Sequence, residues 1–240
     1  FQMQLAQLLS QRNEDAPGVE KKYDLAAVKE LIEEIPFELS DDQKKVVNEI
    51  FADLHSKRQM RRLLQGDVGS GKTVVAVFAI YAAVTAGYQA ALMVPTEILA
   101  QQHFAKIDEL LKPLGVRVAL LTGDTKDLEK KEIYRELADG TINVVIGTHA
   151  LIQKDVHFKN LGLVIIDEQH RFGVNQRNTL IKKGDAPDIL AMTATPIPRT
   201  LALTVYGDMA VSEIRHLPKG RKPVVSSWAT SSKLREVLDL

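Results

Sequence analysis

The sequence predicts an α/β fold in three layers, in which a parallel β-sheet carries helices on both faces. From Met60 onward, short apolar runs alternate with stretches of helical periodicity, the order that produces parallel sheets. Some runs are apolar at successive positions, as at residues 163–166, which is typical of strands buried on both faces. Because such sheets bind ligands at the carboxyl ends of their strands, the loops after the runs are the expected site.

The individual elements follow from that alternation. The predicted strands are the apolar runs at residues 62–64, 90–94, 116–121, 143–146, 163–166 and 189–192. The helices expected after them cover residues 73–86, 97–111, 128–137, 175–183 and 199–205. Ahead of the sheet, helices are predicted at residues 1–11, at residues 25–34 behind the capping residue Asp24, and from the capping residue Ser40 to about residue 55.

The composition is that of a globular protein with a sizeable core. Of 240 residues, 45% are hydrophobic, and 31 Lys and Arg residues balance 31 Asp and Glu residues. A net charge of zero neither favours nor excludes nucleic acid, because the local distribution of charge decides such binding. The absence of cysteine excludes disulfides and thiolate metal sites, and no apolar run reaches the roughly 18 residues of a membrane span. A cytoplasmic protein without a membrane partner is therefore expected.

Three segments are predicted along the chain. Residues 1–35 are expected to be a helical extension and linker, with a polar stretch at residues 12–23. Residues 36–217 are expected to form the main domain, which is within the usual size range. Residues 218–240 are expected to be a linker at 218–223, which contains two Pro and one Gly, and then the start of another domain with a predicted strand at 224–228. The first residue, Phe1, indicates a piece of a longer polypeptide.

The loop after the first predicted strand, residues 66–73, matches the phosphate-binding P-loop pattern at every position. Its glycines let the backbone turn so that N–H groups point at phosphates, and the following helix adds its positive N-terminal end. Lys72 is expected to reach the β- and γ-phosphates and to act in catalysis, and the Thr73 hydroxyl is expected to ligate Mg²⁺. The predicted nucleotide contacts are Gly66, Asp67, Gly69, Ser70, Gly71, Lys72 and Thr73.

Two carboxylates, Asp167 and Glu168, directly follow the buried run at residues 163–166. Asp167 fits the residue that holds Mg²⁺, directly or through water. Glu168, on the other side of the pleat, fits the catalytic base that orients the attacking water. A solvated acidic turn is the alternative, and the complete P-loop upstream disfavours it. The chain lacks the Asn-Lys-x-Asp motif of GTPases and the Arg-rich lid of small nucleotide kinases, which disfavours both of these P-loop classes.

Further blocks resemble motifs of superfamily 2 helicases. They are residues 95–103, 121–123, 146–149, 167–170 and 192–196. In finer detail the P-loop and residues 167–174 and 192–200 are similar to the RecG family, the branched-DNA helicases of bacteria. Transcription-repair coupling factors share parts of these blocks but normally differ at Gln169 and His170, which favour RecG.

The resemblance implies a RecA-like P-loop NTPase core and an enzyme, an ATP-dependent DNA helicase. It implies the ATP-binding lobe of a motor that remodels double-stranded and branched DNA, such as stalled replication forks and Holliday junctions, in recombination and repair. Residues 1–35 would then follow a DNA-binding wedge domain, and residues 218–240 would begin a second motor lobe. We expect a monomer, and weak or no ATP hydrolysis by the chain alone, since the second lobe would supply arginines. The alternatives are a coupling-factor translocase and a nucleotide-gated binding module without turnover.

The resemblance also assigns nucleotide-sensing residues. Phe37 and Gln43 lie in the block where the family reads adenine, and a Gln amide suits the adenine edge; a solvent-facing glutamine is the alternative. His170 is implied as a catalytic residue that couples the γ-phosphate to Thr193 or Thr195, against a merely structural histidine.

DNA contacts are implied as well, mainly to the phosphate backbone through hydroxyls and N–H groups. The implied positions are Thr96, Thr122, Gly123 and Thr148, with helix capping as the alternative for each threonine. Arg199 is implied to couple the ATP site to DNA, the alternative being a surface ion pair.

Overall fold

The computed structural model describes residues 17–195 and 209–216. Within these residues the strands are β1 Arg61–Gly66, β2 Gln89–Met93, β3 Val118–Leu121, β4 Val144–Gly147, β5 Leu161–Asp167, β6 Asp188–Thr193 and β7 Ala210–Ile214. They form one parallel sheet in the order β3-β4-β2-β5-β6-β1-β7. The predicted helices at 1–11 and 199–205, and the segment 218–240 with its predicted strand, lie outside the described residues.

Helices cover both faces of this sheet, so the predicted three-layer α/β class is confirmed. The α-helices of the described residues are α1 Leu25–Glu34, α2 Asp41–Leu54, α3 Lys72–Thr85, α4 Glu97–Leu111, α5 Asp127–Asp139 and α6 Val174–Ile181. Apolar side chains of α1 to α4 pack on one face, against alternate strand residues such as Leu92 and Ile165. Side chains of α5 and α6 pack on the other face, against Met93 and Ile166. None of the helices in residues 17–195 and 209–216 has the length and apolar character to cross a bilayer.

The centre of the fold is formed by the most apolar elements. Strand β5 is buried at all seven positions, and α3 is buried at every position from Val74 to Ala83. A helix that is apolar all round must be covered on every side, and α1, α2 and α4 contact α3 accordingly. The P-loop therefore lies between β1, which is buried at its four central positions, and the closely packed helix α3.

Strand β7 was not predicted, because its sequence lacks a run of large apolar residues. Only Ser212 and Ile214 of the strand are buried. The Ser212 hydroxyl accepts a hydrogen bond from Arg62 Nη1 at 2.6 Å and donates to Glu49. Arg62 in turn binds Asp53 and Glu49, at 2.8 and 3.0 Å. A polar network thus fastens this edge strand where hydrophobicity would usually do so.

A buried ion pair anchors part of the predicted N-terminal linker at the amino end of strand β6. Lys21 Nζ lies 2.5 Å from Asp188 Oδ2, and both residues are 1% exposed. The other oxygen of Asp188 accepts a hydrogen bond from the Met60 backbone N–H at 2.6 Å. Burial raises the pKa of Asp188 to about 6, although Lys21 opposes the shift. The N-terminal segment is therefore tied to the first residue of β6.

We predict that Lys21→Met destabilises the chain by about 3–5 kcal/mol at pH 7, since it leaves a buried carboxylate without its partner. The folded-state pKa of Asp188 lies above its ordinary value, so proton binding by this carboxyl stabilises the folded chain. That stabilisation is fully present below about pH 4 and is lost as the pH rises through about 6. The deficit of the variant is thus largest above pH 6. Urea unfolding between pH 4 and 8 measures it, with the exposed Lys22→Met as control. An equal deficit at every pH would contradict the assignment.

Candidate nucleotide-binding site

The predicted site residues meet at the carboxyl edge of the sheet. Strand β6 lies between β1 and β5, and the register pairs Met192 with both Leu64 and Asp167. Neighbouring strands are about 4.8 Å apart, so the ends of β1 and β5 are separated by about 10 Å. The loop after β1, the acidic pair after β5 and Thr193 at the end of β6 therefore surround one space.

The P-loop adopts a conformation that its glycines make possible. Gly69 and Gly71 have φ of 79° and 89°, in the left-handed region. A Cβ on Gly71 would lie 2.1 Å from Gln43 Nε2, and one on Gly66 would lie 2.5 Å from Ser70 Oγ. Gly71 also precedes α3 without a side-chain cap, so the first N–H groups of that helix remain available to an anion.

Lys72 extends back over the loop toward the acidic pair. Its Nζ donates to the carbonyl oxygens of Gly66 and Asp67, at 2.6 and 3.0 Å. Burial lowers the pKa of Lys72, and the nearby charges of Asp167, Glu168 and Asp67 partly offset that effect. The ammonium group and both carboxylates of the acidic pair are thus close enough to influence one another.

Both oxygens of the Asp167 carboxylate are held. Oδ1 accepts from the Glu168 N–H at 3.0 Å, and Oδ2 lies 2.9 Å from His103 Nε2. The chain does not continue its pleat past Asp167, since Glu168 has the left-handed φ of 49°. The expectation that the pleat directs Glu168 is therefore wrong, and a strained turn directs it instead.

Glu168 connects the helicase-like block at residues 167–170 to the block at residues 192–196. Its Oε1 accepts from the Ala194 N–H at 3.3 Å, and its Oε2 lies 3.4 Å from His170 Nδ1. The hydroxyls of Thr193 and Thr195 are 2.9 Å apart. Within the described residues, Glu168 thus links the two blocks by its hydrogen bond with Ala194. The coupling of His170 to Thr193 or Thr195 stays a prediction.

Gln43 supports the P-loop from helix α2. It is 1% exposed, so the solvent-facing alternative is wrong. Its Oε1 accepts from the Ser40 N–H at 2.8 Å in a capping box, and its Nε2 donates to the Ser70 carbonyl at 2.9 Å. The adenine contact remains a prediction for Gln43 and for Phe37, which is exposed in the loop before α2.

The residues implied in DNA contact follow β2, β3 and β4, which are neighbours on the other half of the same edge. Thr96 caps α4, because its hydroxyl accepts from the Leu99 N–H at 3.3 Å. Thr148 stands at the N-cap position of the short 3-10 helix His149–Ile152 but makes no side-chain capping bond; it is 2% exposed, and its hydroxyl has no hydrogen-bond partner in the described part of the chain. Thr122 is buried beside Gly123, where a Cβ would lie 2.9 Å from Glu97 Oε1. Arg199 lies outside the described residues.

His103 is a site residue that the sequence interpretation left out. It lies on α4 between the buried residues Ala100 and Ile107, at the spacing of one helical face. That periodicity was the available signal, because it predicts a buried polar side chain that needs a partner.

The donor set fits Mg²⁺ bound together with a nucleotide. Within residues 17–195 and 209–216, no group of three or more His, Cys, Asp or Glu side chains gathers to hold a metal ion. Magnesium usually takes one or two carboxylates and completes its shell with water and phosphate oxygens. Asp167 and the Thr73 hydroxyl, at the start of α3, would provide such a sparse set of ligands.

A parallel sheet with a P-loop after β1 and an acidic pair after β5 defines a P-loop NTPase with a RecA-like core. The chain belongs to the DEAD/DEAH box helicase family, whose family model matches residues 40–204.

Individual relatives show which helicases of this family the chain is similar to. The chain is 55% identical over 238 residues to ATP-dependent DNA helicase RecG of Staphylococcus epidermidis. The aligned region covers 99% of this chain and 34% of that protein. RecG of Streptococcus pneumoniae is 54% identical, with coverage of 99% and 35%. The solved structure of RecG bound to a three-way DNA junction superposes with a TM-score of 0.85 at 47% identity, over 99% of this chain and 32% of that one. The predicted RecG resemblance is confirmed, and the chain spans about a third of these relatives.

We predict that Gln43→Ala separates two roles of this side chain. Loss of its support for the Ser70 carbonyl should cost about 1–3 kcal/mol of stability, since a buried acceptor is left unsatisfied. If Gln43 also reads adenine, the variant loses the preference for ATP over GTP; if it only supports the loop, both affinities fall equally. Titrations with fluorescent ATP and GTP analogues distinguish these results, with the exposed helical Gln102→Ala as control. Unchanged stability would contradict the supporting role.

Proposed function

We propose that this chain is the ATP-binding lobe of an ATP-dependent DNA helicase that remodels branched DNA. The observation that carries the proposal is the arrangement of one sheet edge. The P-loop and acidic pair lie after β1 and β5, and the residues implied in DNA contact lie after the neighbouring strands β2, β3 and β4. The name of the RecG relatives and the three-way junction in the solved RecG structure support DNA junctions as the substrate.

The chemistry assigned to the site is nucleotide phosphate hydrolysis. The turned P-loop and the N-terminus of α3 would bind phosphate oxygens, and Lys72 would leave its carbonyl partners to neutralise phosphate charge. When bound by Asp167 and Thr73, Mg²⁺ would supply further charge neutralisation. Glu168, fixed by the Ala194 N–H, would accept a proton from the attacking water.

The similarity to RecG also bears on the coupling-factor alternative and on the other domains that the polypeptide should contain. The reported relatives carry the RecG name, which disfavours the coupling-factor alternative. The polypeptide of which this chain would be a part should provide a wedge domain before residues 36–217 and a second motor lobe after them. A monomer suits that arrangement, since both lobes would then come from one chain.

We predict that Lys72→Ala weakens ATP binding to the 240-residue chain by about 10–100-fold, the value of a lost charge-assisted hydrogen bond. Glu168→Gln should leave binding nearly unchanged, because the residue acts on water. Equilibrium titration with a fluorescent ATP analogue in Mg²⁺ provides the measurement. Equal losses in both variants would contradict the assigned roles.

Turnover is best tested in a chimera in which this chain replaces the matching third of Staphylococcus epidermidis RecG. With a three-way junction as substrate, we expect ATP-dependent unwinding that Glu168→Gln lowers by about 100-fold or more, as expected for loss of a general base. The 240-residue chain alone should hydrolyse ATP slowly. Brisk DNA-stimulated hydrolysis by that chain would show that no second lobe is needed.

We predict opposite effects of Thr148→Val on stability and on DNA binding. Valine has the same shape and removes a buried hydroxyl that has no partner in residues 17–195 and 209–216, so stability should rise by about 1 kcal/mol. If the hydroxyl donates to a DNA phosphate, affinity for a three-way junction should fall by about 10-fold or more, the value of one hydrogen bond to a charged group. Thermal unfolding and fluorescence anisotropy provide the two measurements, and unchanged DNA affinity would remove Thr148 from the contact set.

A further inference from the structure

The side chain of His103, on α4, contacts the acidic pair. Its Nε2 lies 2.9 Å from Asp167 Oδ2, and both residues are 9% exposed. The two residues are 64 positions apart and belong to different elements, α4 and the end of β5. The contact is therefore made by the fold, and it lies inside the site rather than at its surface.

The contact completes a pair of restraints on one carboxylate. With Oδ1 bound to the Glu168 N–H and Oδ2 bound to His103, the plane of the Asp167 carboxylate is fixed. A carboxylate has about four lone-pair positions, so both oxygens keep a free position for a metal ion. Since Asp167 Oδ2 accepts, Nε2 is the nitrogen that donates its proton.

We propose that His103 is a positioning residue that orients Asp167 toward Mg²⁺, an inference that rests on the proposed function of the site. Hydrogen bonds to a ligating carboxylate fix its direction, and their loss typically lowers metal affinity or activity by about 10–100-fold. Without His103, the Asp167 side chain would keep one hydrogen bond and gain rotational freedom about its χ angles. Binding of the nucleotide itself, through the P-loop, would be unaffected.

The test compares His103→Leu, which removes the donor, with His103→Gln, whose amide N–H reaches nearly as far as Nε2. The measured quantity is the dissociation constant of a fluorescent ATP analogue for the 240-residue chain, with Mg²⁺ and with EDTA. In His103→Leu we expect the Mg²⁺ concentration for half-maximal binding to rise about 10-fold or more, with affinity in EDTA unchanged. His103→Gln should behave as the unsubstituted chain. The exposed neighbour Gln102→Leu is the matched control.

Each other outcome has a distinct meaning. An unchanged Mg²⁺ requirement in His103→Leu would overturn the inference, and so would a His103→Gln variant as impaired as the Leu variant, since size rather than the donor would then matter. If His103→Leu does not fold by its thermal unfolding curve, His103→Asn replaces it, because that shorter amide cannot reach Asp167. Absence of any Mg²⁺ effect in the unsubstituted chain would instead reject the proposed metal site, and the inference with it.

Discussion

The alignment of the parallel strands is the constraint on which the site depends. Hydrogen bonding fixes the register of β1, β6 and β5, so their last residues stand level at one edge. A one-residue slip of any of these strands would exchange the two faces of a buried strand and is strongly opposed by the apolar core on both sides. The P-loop and Asp167, about 100 residues apart in sequence, are therefore brought to fixed positions by the packing of the whole sheet.

The P-loop depends in addition on contacts that leave no spare volume. The space that a Cβ of Gly71 would fill is occupied by the Gln43 amide, which also carries the capping box of α2. The cap of one helix and the shape of the phosphate loop before another are thus set by a single side chain. The left-handed Glu168 is a similar case, because Ala194 and His170 hold its carboxylate after the strained turn. Site geometry is in this way determined by local packing as well as by the sheet.

Periodicity predicted the parts of the fold that are apolar, and motifs predicted which residues gather at the edge where we propose that phosphate binds. Strand β5 and helix α3 are buried almost throughout, so their patterns are unambiguous. Strand β7 was missed because Ser212 is buried through a bond to Arg62, 150 positions away. Lys21 was assigned to a linker because its burial depends on Asp188, 167 positions away. Such polar burial is invisible in the sequence, since the partner that permits it is distant.

The two halves of the sheet edge are joined by one helix. Thr96 caps the start of α4 beside the implied DNA contacts, and His103, two turns further along, contacts Asp167 in the nucleotide site. A displacement of the first turn of α4 along the helix axis would shift His103 and, through its hydrogen bond, the Asp167 carboxylate. Coupling between sites is reciprocal in free energy: if DNA binding alters the affinity for Mg²⁺ and ATP, the nucleotide alters the affinity for DNA equally. If both proposed sites are real, such coupling would need no separate moving part, because α4 carries Thr96 at one and His103 at the other.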